Sequence, residues 1–129
     1  QRLCAAIQYS VPGVPCLYYG DEECLEGCRD PFNRMPFEPK CEGLHKYYAK
    51  LAAIRNQCPA MRSGSMRLEA PTPDILLIIR ENGEERLICV INRSGQSYTA
   101  AEGCPLLCGS AVVAPKSAEI LRISKKKAQ

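Results

Sequence analysis

The sequence predicts an α+β chain: a short piece of helix–strand–helix structure, then a small antiparallel β-sandwich. Three observations predict it. One segment, "EGLHKYYAKLAAIRNQCPAMR", keeps its apolar residues at helical spacing. A short apolar run before it, "VPCLYY", shows no alternation. Beyond residue 63 the chain breaks into short β-type runs separated by turn residues.

In chain order, "QRLCAAIQYS" carries Leu3 and Ile7, with small residues between them, and reads as the end of a helix stopped by "VPG". "VPCLYY" has the texture of a strand buried on both faces, as in a parallel sheet. A loop over 20–39 follows, rich in acids, Gly, Pro and Cys. The second helix is the firmest element. Leu44, Tyr47, Tyr48, Leu51, Ile54, Arg55 and Cys58 share one face, Lys46, Lys50 and Asn56 take the other, and Pro59 is expected to end it. "SGS" (Ser63, Gly64, Ser65) then reads as a boundary, dividing a unit over 1–63 from a β-sandwich over 64–129. "SMRLEA", "DILLIIR", "ERLICVINRS", "SYTAAE", "AVVAP" and "AEILRIS" are the expected strands, with a tight Asn82-Gly83 hairpin turn in "ENGEE". A single buried-type strand with one or two helices cannot cover both of its own faces. Its neighbours are therefore expected from outside these residues.

Composition narrows the function. The 129 residues are 46% apolar, enough for a real core. No apolar run approaches the roughly 18 residues of a membrane span, and no signal-peptide pattern is present, so no membrane partner is expected. The net charge of +3 is too small and dispersed for nucleic acid, and the basic end "SKKKAQ" reads as a solvated tail. The nine cysteines are an odd number, and several sit in apolar runs, which points to a reducing, cytoplasmic setting. Cys24/Cys28 and Cys104/Cys108 each have three residues between them rather than two, and His45, the only histidine, lies in a helix pattern. No metal site and no cofactor are expected. "NRS" (Asn92 to Ser94) fits a glycosylation sequon but is better explained as a turn after a strand.

The loop holds the candidate site residues. Asp21 and Glu22 are paired carboxylates just past the expected strand, a pattern that invites acid/base chemistry. Asp30 and Arg34 flank "PFN"; a carboxylate and a guanidinium can each make paired hydrogen bonds to vicinal hydroxyls, or can simply pin the loop as an ion pair. Tyr18 and Tyr19 could stack on sugar rings, but in a buried strand they are expected in the core.

"PGVPCLYYGDE", followed by a "DPFNR" loop, the helix ending "LAAIRNQCPAMRSG" and the strand phrase "LICVINRS", resembles the α-amylase superfamily of glycoside hydrolases. The likeness is nearest the neopullulanase, cyclomaltodextrinase and maltogenic-amylase branch. The resemblance implies the last strand and helix of a (β/α)8 barrel followed by the β-sandwich C-terminal domain. It also implies that the nucleophile and the acid/base carboxyls of a retaining mechanism lie on earlier strands, before Gln1. The expected function is therefore the C-terminal part of an α-glucan hydrolase acting on α-1,4-linked glucose oligomers, with these residues alone inactive. No residue of this chain is then catalytic. Asp30 and Arg34 become sugar-binding residues, Asp21 and Glu22 become supports of the active-site wall, and the partner is an α-glucan oligosaccharide. The alternative is a stand-alone β-sandwich that binds carbohydrate or a protein. Without the rest of a barrel, the segment over 1–39 is expected to be disordered or to pair with a second copy.

Overall fold

A computed structural model describes residues 1–27, 29–31, 34–100 and 102–125. Cys28, Phe32, Asn33, Ala101 and residues 126–129 of the expected tail lie outside that set.

Three helices precede the sheet: α1 (Arg2–Ser10), α2 (Glu42–Gln57) and α3 (Pro59–Ser63), with a short 3₁₀ turn at Asp21–Glu23 between the first two. Both longer helices form where periodicity places them. Leu44, Tyr48, Leu51, Ile54 and Arg55 are the buried face of α2. Pro59 does end α2, but it also starts α3, because a missing N–H and a fixed φ suit the first helical position. Gly64 makes the turn out of α3. A Cβ there would stand 2.5 Å from the Ala60 carbonyl oxygen and 2.7 Å from that of Glu81, so only glycine fits.

The strands are β1 (Ser65–Thr72), β2 (Ile75–Glu81), β3 (Glu85–Asn92), β4 (Tyr98–Thr99), β5 (Cys104–Pro105), β6 (Val112–Val113) and β7 (Ser117–Ser124). Five form an antiparallel sheet in the order β1-β2-β3-β7-β5, and β4 pairs with β6 as a separate ribbon. The sandwich expected from the sequence is thus lopsided. One face of the sheet, with Ile78, Leu87, Cys89, Ile91 and Ile120, packs under α1, α2 and α3. The other, with Ile75, Ile79, Ile88, Val90 and Leu121, packs under the ribbon through Val113. Period-2 alternation assigns each residue to its face. Both faces are covered, so β3 reads as a continuous apolar run. The helices and the sheet share a core across residue 63.

The tight β2–β3 hairpin forms where expected, but not through a type I′ turn. Gly83 is not in a left-handed conformation, as a type I′ turn requires. Instead the Asn82 side-chain oxygen accepts the N–H groups of Glu84 and Glu85, both at 2.9 Å, and the Asn82 N–H donates to the Glu85 carbonyl at 3.1 Å. An Asx turn does the work assigned to the Asn-Gly pair.

A larger correction concerns "VPCLYY". No strand forms there among the described residues. Val14 is 93% exposed, and Leu17, Tyr18 and Tyr19 are also exposed. A strand exists only where a neighbour satisfies its backbone, and no ladder reaches this run. Tyr18 and Tyr19 are accordingly not core residues. The segment over 1–39 is not uniformly loose, however. Ala5, Ala6 and Tyr9 of α1 lie buried against α2 and the sheet.

Candidate functional site

The exposed run and the loop after it are held by α1. The Gln8 side-chain amide donates to the Cys16 carbonyl at 2.6 Å, and that of Gln1 donates to the Asp21 carbonyl. Gly20 then turns the chain with φ +79°, a left-handed conformation in which a Cβ would stand 2.3 Å from Leu25. The 3₁₀ turn follows directly.

Its three acids go three ways. The Asp21 carboxylate accepts the Tyr18 N–H at 3.2 Å and so closes the turn after the exposed run. Glu22 is half-buried, and its buried Oε2 has no hydrogen-bond partner among the described residues. Asp21 and Glu22 both lie near Tyr48. Burial raises the pKa of that phenol first, and the two carboxylates push it further in the same direction. Glu23 is buried at 5% exposure. Its Oε2 accepts the N–H groups of Lys40 and Cys41, at 3.0 and 3.1 Å, and its Oε1 stands 3.3 Å from His45 Nδ1. No side chain within α2 caps that helix, and Glu23 supplies the acceptor from a distance.

Asp30 and Arg34 stand apart from these acids. They form an exposed ion pair at 3.0 Å, with both side chains mostly solvated. A cleft of about 300 Å³ is lined by Tyr18, Tyr19, Asp21, Leu25, Glu26 and Met35. Tyr19 crosses it, donating to the Met35 carbonyl at 3.3 Å and meeting Phe37 edge-on at 5.7 Å. The structure therefore joins Asp21 to an aromatic cleft but does not bring Asp30 and Arg34 into its lining. Among the described residues, no three His, Cys, Asp or Glu side chains come together as metal ligands would.

Other buried polar side chains bind the backbone, a role that sequence reasoning assigned to none of them. Arg55 donates to the carbonyls of Tyr9, Val11 and Gly13; Arg80 donates to those of Ser10, Gly64 and Ser65. Together they cap the C-terminus of α1, where the helix dipole favours cations. Desolvation lowers the pKa of both guanidiniums. Glu119 accepts the N–H groups of Leu107, Cys108, Ser110 and Ile120. Glu85 accepts the Ala60 N–H at 3.0 Å and pairs with Arg122 at 2.8 Å. A charged residue inside an apolar pattern was the available signal: Arg55 on the inner face of α2, Arg80 in "ILLIIRE", and Glu119 in "AEILRIS".

No family model matches the chain. The cyclomaltodextrinase of Geobacillus thermopakistaniensis is 31% identical over 102 residues, which cover 74% of this chain and 17% of the relative. The ligand-free cyclic α-maltosyl-(1→6)-maltose hydrolase of Arthrobacter globiformis superposes with a TM-score of 0.80 at 30% identity, covering 96% of this chain and 29% of that one. The chain belongs to the α-amylase family. An Anoxybacillus α-amylase agrees, with a TM-score of 0.82 and 27% identity over 99% of this chain and 33% of that one. This α-amylase-family chain spans about a sixth of the length of the curated relatives it matches. Its fold, sheet and helices together, recurs within those larger structures.

Proposed function

We propose that the chain is the C-terminal part of a retaining α-glucan hydrolase of the α-amylase, cyclomaltodextrinase or neopullulanase type. It acts, as part of that enzyme, on α-1,4-linked glucose oligomers, and these residues alone are inert. The observation that carries this reading is the coverage. Relatives named as cyclomaltodextrinase, cyclomaltodextrin glucanotransferase and amylopullulanase each match this chain over only 6–17% of their own length. The Arthrobacter globiformis hydrolase, solved also with its cyclic tetrasaccharide and with maltose, supports the substrate class.

Three features of the chain fit this assignment. The exposed apolar run from Val14 to Tyr19 is the edge that neighbouring barrel strands would cover; alone, it favours self-association. Asp30 and Arg34 keep solvated hydrogen-bonding atoms that can grip sugar hydroxyls, while Asp21 and Glu22 support the wall of the cleft. The eight described cysteines are all free thiols, which favours a reducing, cytoplasmic setting.

Hydrolysis by a retaining enzyme needs two carboxyls about 5–5.5 Å apart across the bond. Asp21 is committed to a backbone N–H, and Asp30 to Arg34. The purified chain is therefore expected to release no reducing sugar from maltohexaose or β-cyclodextrin. Release above a heat-killed control, retained through repeated purification, would overturn the assignment.

A further inference from the structure

We propose that Cys24 and Cys41 are a redox-active dithiol that closes reversibly into a disulfide at the base of the 20–39 loop. The proposal is independent of any glucan activity. Three observations place the two residues together. Cys41 stands near enough to Cys24 to be the largest influence on its thiol, ahead of burial, both raising its pKa. Glu23, immediately before Cys24, accepts the backbone N–H of Cys41 itself at 3.1 Å, so the two chain segments are clasped at the residues in question. Both thiols, half-buried, line one open cavity of about 630 Å³ with Cys4, Arg2 and Lys116.

That cavity is the route for an oxidant. Its two cations attract an anionic disulfide such as oxidised glutathione. One protein thiolate attacks a glutathione sulfur, forming a mixed disulfide and expelling one glutathione thiolate, which takes up a proton. The second protein thiolate then attacks the protein-side sulfur and expels the other glutathione thiolate. Two protein thiols are oxidised, one glutathione disulfide is reduced to two thiols, and the ring over 24–41 is closed. The segment that carries Asp30 and Arg34 lies wholly inside this ring. Its ends are then joined covalently, which removes open conformations from the loop.

The test is chemical. The intact chain is incubated with oxidised glutathione, quenched by alkylation, and digested with trypsin followed by a glutamate-specific protease. This places Cys24 in the peptide over 24–26 and Cys41 in a peptide that begins at residue 41. The expected product is these two peptides joined, with two thiols lost per chain and restored by dithiothreitol. In Cys41→Ser, a glutathione adduct should remain trapped on Cys24; in Cys24→Ser, one should remain on Cys41. The proposal is overturned if Cys24 and Cys41 stay alkylatable while exposed Cys4 and Cys16 are glutathionylated. It is equally overturned if either residue bridges to Cys4 or Cys28, or if the wild-type chain keeps its mixed disulfide. The wild-type peptide map decides the matter even where a variant folds poorly.

Discussion

Two runs of this chain look alike on paper and end in opposite places. "VPCLYY" and "LICVI" are both short, apolar and built around a cysteine. In β3, Leu87 to Ile91 are buried, hydrogen-bonded to β2 on one side and β7 on the other. Burial pushes the Cys89 thiol up to about 12. Cys16, in the other run, is exposed, with Val14, Leu17, Tyr18 and Tyr19 around it. An apolar run is only half of a strand. The other half is a neighbour to take its backbone groups and a layer to cover each face. β3 has both within the described residues; the first run has neither.

The sharpest way to break this contrast is a matched pair of leucines. Leu87→Ala should cost about 2–5 kcal/mol, since a fully buried leucine leaves a cavity. Leu17→Ala should stay within about 0.5 kcal/mol, as exposed positions do. Urea unfolding followed by circular dichroism measures both, and similar losses would show that the first run is packed after all. Arg80→Met comes next. It keeps most of the stem but leaves the carbonyls of Ser10, Gly64 and Ser65 without their donor, at a cost of about 3 kcal/mol. The same denaturation series reads it.

Glu23→Gln probes the join between the two regions. Weakening the carboxylate's bonds to Lys40 and Cys41 should cost about 1 kcal/mol. It should speed hydrogen exchange at the start of α2 while leaving β3 protected, and uniform acceleration would contradict a local role. The smallest effect belongs to Glu81. Hydrogen bonds from Lys125 and Arg86 hold its carboxyl down at about 2, against 4.5 ordinarily. A depressed carboxylate contributes stability that is fully present above pH 4.5 and fades as the pH falls towards 2. Glu81→Gln should therefore flatten the acid limb of the stability profile in that window, lowering stability slightly at pH 7 and matching the parent chain near pH 2. An acid limb identical to that of the parent chain would remove Glu81 from the account.

The same contrast marks how far the sequence could be read. Helical spacing located α1 and α2 to within a residue or two, and alternation with turn residues located β2, β3 and β7. Those signals are local, and local periodicity reports local structure. β5 at Cys104–Pro105 was not legible, because half of it is a proline, which reads against a strand. In "DEE" the three acids look equivalent. The attention fell on Asp21 and Glu22, yet the turn aims Glu23 inward to hold the start of α2. Which acid faces inward depends on the left-handed turn at Gly20 and on a helix about twenty residues away, and neither is written in the spacing. Asp30 and Arg34 do stand close enough to pair, as their separation of four residues allowed, but their place outside the cleft was not readable from that spacing.

Asn92 carries one last consequence. It is fully buried at the end of β3, and its side-chain nitrogen donates to the carbonyls of Gln96, Val113 and Ala114, while its oxygen accepts from Ser94. An oligosaccharyltransferase needs that same nitrogen free as its nucleophile. Once β3 and the ribbon have closed over it, the triplet Asn92-Arg93-Ser94 offers the enzyme nothing to attack. In a host that exports this chain, a sugar at Asn92 would therefore act as a clock. It would mark molecules that met the transferase before this corner had folded, and the attached glycan would then keep the corner from closing.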